Sequence, residues 1–114
     1  MPLWVFKGEC TFSFFNKNSI NTREFQQKLT KGTELIDVRE KAKFTLGHIP
    51  GAKNIPLSKL SSYTKRAHGP VHVICQSGMR SRQAVKRLKN NGIGALNVRG
   101  GMNSWRGETR GGKL

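Results

Sequence analysis

The sequence predicts one α/β domain built on a mainly parallel sheet. Its 114 residues suit a single compact domain. From Ser19 onward, short apolar runs alternate with helical patterns, which is typical of strands that are joined by crossover helices. No internal repeat and no low-complexity linker divides this pattern. We therefore expect one sheet with one hydrophobic core system.

The first predicted helix has a polar cap and an apolar face. Asn21 or Thr22 can cap it, because a short polar side chain satisfies free N–H groups at a helix start. Phe25 and Leu29 lie four residues apart, the spacing of one helix face. Gly32 is the predicted end.

Four strands and three more helices follow in the prediction. The strands lie at 35–38, 52–55, 71–75 and 95–98. The first of them carries Leu35, Ile36 and Val38 and finishes within 37–40. The second is enclosed by the loop GHIPGAKNIPL at 47–57, whose two prolines and two glycines favour turns. The first of the three helices is a weak one at 57–67. The second has Ala84, Val85 and Leu88 on its inner face and ends at Gly92 and Gly94. The third is a short terminal helix that follows Gly100 and Gly101 and bears Trp105.

The charge is strongly positive. There are 21 Lys and Arg against 6 Asp and Glu, a formal net charge of +15, and such a field attracts small anions and polyanions. The basic residues are dispersed rather than forming a stripe interleaved with aromatic residues, and no nucleic-acid-binding module is visible. We therefore expect no nucleic acid partner, and the simplest interpretation of the charge is a solvated surface; the charge alone does not choose a ligand.

Two cysteines, Cys10 and Cys75, stand far apart and lack the spacing of a metal-binding pair or a redox CxxC. Such usage fits a reducing compartment. No stretch approaches the ~20 apolar residues of a membrane helix, and the start lacks the features of a secretory signal. The expectation is a soluble cytoplasmic protein with no membrane contact. The histidines, His48, His68 and His72, are not spaced as ligands, so no metal is expected.

The candidate reactive residues lie at the junction after the third predicted strand. It reads CQSGMRSRQAV, which places Cys75 at the strand end, Gly78 in the loop, and a helix start near Arg80 or Ser81. Ligands of parallel sheets bind at the carboxyl ends of strands. A glycine in such a loop lets successive N–H groups converge into an anion nest.

A thiol in that nest is expected to have a lowered pKa. The N–H dipoles, Arg80 and Arg82 would all favour the thiolate of Cys75, which is the nucleophile of covalent catalysis. The competing interpretation is a buried structural cysteine. It does not explain a glycine-bearing, doubly basic loop directly after the thiol.

Four segments together resemble motifs of the rhodanese family. They are LIDVRE at 35–40, GHIPGAKNIPL at 47–57, VICQSGMRS at 73–81 and NVRGGMNSW at 97–105. One such motif would be weak, but all four occur in the family's order and at suitable spacing. The resemblance covers 19–107, and it leaves a segment of uncertain role at 1–18 and a basic Gly-rich tail at 108–114.

The resemblance implies a rhodanese-like fold, with a central parallel sheet and helices on both faces. It also implies a six-residue active-site loop formed by Cys75, Gln76, Ser77, Gly78, Met79 and Arg80. Cys75 would carry sulfur as a persulfide, the N–H groups of residues 76–80 would hold it, and Arg80 would bind an anionic donor such as thiosulfate. The acceptor would be a thiol or a protein, and no cofactor is required. Gln76 stands where many active relatives have arginine.

Two other functions compete with sulfur transfer. A cysteine phosphatase or arsenate reductase has five residues between the cysteine and the arginine of its loop. Here four residues separate Cys75 from Arg80 and six separate it from Arg82, so neither arginine fits. A non-catalytic binding or sensing module is the other alternative. It is typical of relatives that have lost the cysteine, which this chain retains.

Several further residues have assigned roles in the prediction. Asp37 and Arg39 are expected to pair or to brace neighbouring loops, with Arg39 facing the pocket as the alternative. Ser81 and Arg82 support the active-site loop. Trp105 is expected in the core rather than in the pocket wall. Cys10 could resolve the persulfide as a disulfide, but its distance in sequence disfavours that role.

Overall fold

The computed structural model describes residues 18–30, 32–63 and 70–111. Within them, five strands form one sheet in the order β1-β5-β4-β2-β3, and every neighbouring pair is parallel. The strands are β1 (Ser19–Asn21), β2 (Leu35–Asp37), β3 (Lys53–Asn54), β4 (Val71–Ile74) and β5 (Ala95–Arg99). The predicted α/β class with a parallel sheet is confirmed.

Helices connect these strands. They are α1 (Thr22–Lys28), α2 (Lys41–Leu46), the 3-10 helix (Leu57–Ser62), α3 (Met79–Asn90) and α4 (Gly101–Ser104). Asn21 caps α1, since its side chain accepts a hydrogen bond from the Glu24 N–H at 2.7 Å. The inner face of α3 buries Ala84, Val85 and Leu88, as their spacing predicts.

The sheet has a hydrophobic core on each face. In β4, Val71 and Val73 belong to the core beneath α3 and the 3-10 helix, whereas Ile74 belongs to the opposite core. That opposite core contains Phe25 of α1 and Trp105 after α4. The alternation follows from the period of two along a strand. β4 is the central strand of the sheet, and both of its faces are covered. Its carboxyl end therefore holds the residues that follow it in a defined position.

Two elements were not expected from the sequence. β1 has only three residues, of which Ile20 alone is fully buried, so it has too short an apolar pattern to recognise. α2 buries no residue and its start, at Glu40, has no side-chain cap hydrogen bond. Neither hydrophobic periodicity nor capping, the two signals of a helix, marks it in the sequence.

Several predicted boundaries were wrong by a few residues. α1 ends at Lys28 rather than at Gly32, whereas α3 begins at Met79, one residue from the expected start near Arg80 or Ser81. The second predicted strand, at 52–55, is observed only at Lys53–Asn54. The weak helix is a 3-10 helix that ends at Ser62. Helix ends fray and their last turn is often a 3-10 turn, so the ends are the least regular part of an element.

Some expectations lie outside the described residues. These concern Cys10, the apolar run at 10–15, the predicted helix residues 64–67, His68 and the last residues of the tail, 112–114. Among the residues that the structure does describe, no helix is long and apolar enough to cross a membrane.

Candidate active site

Cys75 lies directly after β4, at the start of a tight loop that ends in α3. Its side chain is almost completely buried, with 2% exposed. The backbone N–H groups of Gly78 and Ser81 donate hydrogen bonds to its Sγ at 3.0 and 3.3 Å. Gly78 has φ +105°, a left-handed conformation that favours glycine, and this turns the loop back over the sulfur. The loop is thus an anion nest with a sulfur atom at its centre.

The environment of Cys75 favours the thiolate. Burial raises the pKa of the thiol, but hydrogen bonds from the Ser81 hydroxyl and from the N–H groups of Ser81, Gly78 and Ser77 outweigh it and lower the pKa below its usual value. The expected N–H donors were those of residues 76–80. Ser77 and Gly78 are among the donors, and Ser81, which lies outside that range, adds an N–H group and a hydroxyl group.

A buried polar pair lies behind the sulfur. Ser81 Oγ is 3.3 Å from Cys75 Sγ and also forms a short hydrogen bond to Asn97 Oδ1. The amide nitrogen of Asn97 donates to the carbonyl of Gly78 at 3.3 Å. Asn97 is on β5, on the face that α3 covers, and only 6% of it is exposed. It therefore connects the loop to the neighbouring strand.

Helix α4, which follows β5, forms hydrogen bonds with the backbone of the active-site loop. The N–H groups of Met102 and Asn103, in α4, donate to the carbonyls of Cys75 and Gln76 at 2.8 and 2.9 Å. Gly101 has φ +57°, and a Cβ atom there would collide with both carbonyl oxygens. This close approach explains the second glycine of the GG pair.

Asp37 and Arg39 form a buried ion pair beside the loop. The Arg39 guanidinium donates to both carboxylate oxygens of Asp37, at 2.8 to 3.1 Å, and to the carbonyl of Gly47 at 2.7 Å. Asp37 is fully buried and Arg39 is 6% exposed. The pair thus braces the loop after β2 against the one after α2. Arg39 also lines the pocket, so both expected positions describe it.

Gln76 connects this ion pair to α4. Its Oε1 accepts from Arg39 Nη1 at 3.3 Å, and its Nε2 donates to Asn103 Oδ1 at 2.6 Å. The side chain therefore spans the rim of the pocket instead of presenting a cation there.

A depression of about 660 Å³ opens over the sulfur. Its lining combines loop, α2 and α3 residues: Arg39, Glu40, Ala42, Lys43, Cys75, Gln76, Ser77, Met79, Arg80 and Gln83. The cations Lys43 and Arg80 give it a positive rim. Met79 is 72% exposed there.

Arg82 occupies a different position from the one expected. It lines a separate depression with Asn18, Lys86 and Arg99, rather than the one over Cys75. Arg80 and Arg82 are two residues apart in α3, which turns their side chains about 200° from each other, so they point to opposite sides of the helix. Both arginines were expected to favour the thiolate, but only Arg80 lines the pocket over Cys75, and the lowered pKa of the thiol is caused by hydrogen bonds rather than by an arginine.

Other residues that the sequence singles out lie away from the pocket. Trp105 packs in the core with Phe25, their ring centroids 6.0 Å apart, so the core position is the observed one. His48 bonds the carbonyl of Phe44 at 2.8 Å through Nδ1. Burial lowers the pKa of His72. Among the described residues, no group of three or more His, Cys, Asp or Glu could hold a metal ion.

Sequence reasoning missed Asn97, Asn103 and Lys43 as parts of the site. Asn97 had a usable signal, because it is a polar residue at an inward position of a buried strand, two residues after Ala95. Lys43 had none, since α2 was not recognised. Asn103 acts through its backbone and amide, which a residue pattern does not reveal.

Comparison with known proteins agrees with this geometry. The sequence profile of the rhodanese-like domain family matches residues 21–108, and the chain belongs to this family. It is 39% identical over 95 residues to the uncharacterized protein YqhL of Bacillus subtilis, covering 81% of this chain and 75% of that one. It is 36% identical over 95 residues to the putative sulfurtransferase YtwF of the same organism, covering 80% of this chain and 92% of that one.

The fold agrees as well. A crystal structure of a rhodanese-like domain protein from Staphylococcus aureus superposes with a TM-score of 0.73 at 36% identity, covering 84% of this chain and 99% of that one. The expected family and fold, including the parallel sheet with helices on both faces, are confirmed.

Proposed function

We propose that the protein is a sulfurtransferase that carries sulfane sulfur on Cys75 as a persulfide. The observation that carries the proposal is the buried Cys75 sulfur, which lies at the floor of a cationic depression and accepts hydrogen bonds from the Gly78 and Ser81 N–H groups. A role in sulfur transfer also agrees with the putative sulfurtransferase among the relatives.

The reaction is a double displacement. The Cys75 thiolate attacks the sulfane sulfur of a donor, and one S–S bond forms while the donor's own bond to that sulfur breaks. With thiosulfate, sulfite leaves with the bonding electron pair, and the single negative charge of the thiolate moves to the outer sulfur. A nucleophilic acceptor then takes that outer sulfur and regenerates the thiolate. Neither step requires a cofactor.

The depression suits a small anionic donor. Lys43 and Arg80 at its rim attract an anion, and Arg80 can bind donor oxygens through charge-assisted hydrogen bonds. The opening above Cys75 leaves room for a low-molecular-weight thiol or a protein thiol as acceptor. The free thiol needs a reducing compartment such as the cytoplasm.

Substitution of Cys75 tests the proposal. Cys75→Ser should reduce cyanide-dependent formation of thiocyanate from thiosulfate to the uncatalysed rate, because serine at this position is not ionised. Circular dichroism should show an unchanged fold. Cys10→Ser is the matched control and should retain nearly full activity. Equal loss in both variants would indicate a disulfide mechanism, and activity that survives in Cys75→Ser would refute the proposal.

A further inference from the structure

The Ser81 hydroxyl has one hydrogen atom and two buried acceptors within reach. One is Cys75 Sγ, 3.3 Å away, and the other is Asn97 Oδ1. When the thiol is neutral, its own S–H can donate to Ser81 Oγ, so the hydroxyl hydrogen is free to point at Asn97. When the thiol is ionised, the same hydrogen is needed by the thiolate. The two acceptors therefore compete.

The orientation of the Asn97 amide is fixed by its other contact. Its Nδ2 donates to the Gly78 carbonyl at 3.3 Å, and a flipped amide would set oxygen against oxygen there. Oδ1 thus always faces Ser81 as an acceptor. Because Asn97 and Ser81 are 6% and 0% exposed, water cannot readily replace a bond that either loses.

The negative charge of the thiolate moves during the proposed reaction, and this changes which of the two acceptors, Cys75 Sγ or Asn97 Oδ1, the Ser81 hydroxyl prefers. In the unloaded protein the negative charge is on Sγ, and the hydroxyl should point there. In the persulfide the charge is on the outer sulfur, and Sγ becomes a neutral, weakly accepting atom. The hydroxyl can then return to Asn97. The proton stays on Ser81 throughout.

We propose that Asn97 is a positioning residue that favours the persulfide over the free thiolate by accepting the Ser81 hydroxyl whenever Sγ is uncharged. This inference rests on the proposed function of Cys75 for its persulfide part. Its effect on the thiol itself does not depend on any sulfur donor.

Several charged side chains surround this arrangement. They are Arg39, Glu40, Lys43 and Arg80 on the pocket side and Arg82, Lys86, Lys89 and Arg99 on the side of Asn97. All of them stay the same in the variants below, so their field cancels when the variants are compared.

The first test is the pH profile of Cys75 alkylation by iodoacetamide in four proteins: wild type, Asn97→Leu, Ser81→Ala and the double variant. Leucine keeps most of the volume and removes the acceptor. On the acid side of the profile, Asn97→Leu should react about threefold faster, since losing a competing hydrogen bond is a modest effect. Ser81→Ala should react more slowly, and adding Asn97→Leu to it should change nothing.

A purely structural role predicts the opposite direction. If Asn97 only fastens the loop through the Gly78 carbonyl, Asn97→Leu should loosen the N–H groups around Sγ and raise the thiol pKa, with or without Ser81. That result would overturn the proposal. If Asn97→Leu unfolds, Asn97→Ser gives the same test, because a shorter side chain also withdraws the acceptor.

The second test measures persulfide occupancy by intact mass spectrometry at fixed ratios of thiosulfate to sulfite. Asn97→Leu should shift the equilibrium about threefold toward unloaded protein. Unchanged or increased occupancy would contradict the proposal. If no variant takes up sulfur, the proposed function fails, whereas the alkylation profile still decides the effect of Asn97 on the thiol.

Discussion

At the scale of single residues, the sulfur of Cys75 is stabilised by hydrogen bonds rather than by contact with a cation. The N–H groups of Gly78 and Ser81 point at Sγ. The pKa is lowered although burial alone would raise it. The task that we propose for Arg80, which lines the pocket, is to bind the incoming donor.

Replacing Arg80 tests that task. Arg80→Ala should raise KM for thiosulfate about tenfold, the cost of one charge-assisted hydrogen bond, and should affect an alkyl persulfide, a donor without anionic oxygen atoms, much less. Arg82→Ala is the matched control, because it removes the same charge from the same helix outside the pocket. Steady-state kinetics gives KM for both donors in both variants. Equal penalties for both donors would place Arg80 in thiol activation or structure instead.

Residue identity predicted the nucleophile better than its surroundings. Cys75 could be found because a thiol, a glycine and basic residues coincide at a strand end. The hydroxyl of Ser81 and the amide of Asn97 could not be paired in advance, because they are 16 residues apart and meet only through the packing of α3 on β5.

At the scale of elements, the site depends on two glycine turns that face each other. Gly78 begins α3, and Gly100 and Gly101 lead into α4. A Cβ atom on Gly78 would lie 3.3 Å from the backbone nitrogen of Gly100, so the turns nearly touch. The loop keeps its shape because α4 donates two hydrogen bonds to it.

The Gly101→Ala substitution should therefore damage both stability and activity. It combines left-handed strain with a collision against the Cys75 carbonyl, and a loss of at least about 2 kcal/mol in unfolding free energy is expected. Gly92→Ala is the control, because Gly92 has φ +81° but no atom near its Cβ position. It should cost about 1 kcal/mol and leave activity intact. If Gly101→Ala and Gly92→Ala had equal effects on thermal unfolding and on turnover, the loop would avoid the collision at Gly101 by a small shift.

Elements with an apolar pattern were predictable, and those without one were not. β4 and α3 carry strong periodic burial, and both were located within one or two residues. α2 buries no side chain, yet it brings Lys43 to the pocket wall. Arg39 donates to the Gly47 carbonyl at the end of α2, and such a contact between a side chain and the backbone leaves no apolar pattern in the sequence.

At the scale of the whole molecule, the order of the strands places β4 between β2 and β5. The residues that follow these three strands therefore converge: Arg39 after β2, Cys75 after β4 and α4 after β5. Parallel topology makes this possible, because all carboxyl ends lie on one edge. Three of the four sequence motifs, at 35–40, 73–81 and 97–105, span these junctions, and the fourth, at 47–57, contains β3. The fold could therefore be predicted from the motifs together.

The high positive charge agrees with an anionic substrate but does not select one. Of the described cations, Lys43 and Arg80 line the pocket together with Arg39, while Arg82, Lys86, Lys89 and Arg99 lie at the other depression. The general field raises the local concentration of any anion. Selection among anions must come from the loop around Cys75.

Intact mass spectrometry after incubation with thiosulfate shows whether Cys75 takes up sulfur. A persulfide adds the mass of one sulfur atom to the chain, and neither phosphatase chemistry nor an inert binding module produces that adduct. The adduct should be removed by cyanide or dithiothreitol and should be absent in Cys75→Ser. Polysulfide and a persulfidated low-molecular-weight thiol are the further donors, because Gln76 presents no cation at the rim for thiosulfate. If none of the three donors adds sulfur to Cys75, the protein is not a sulfurtransferase.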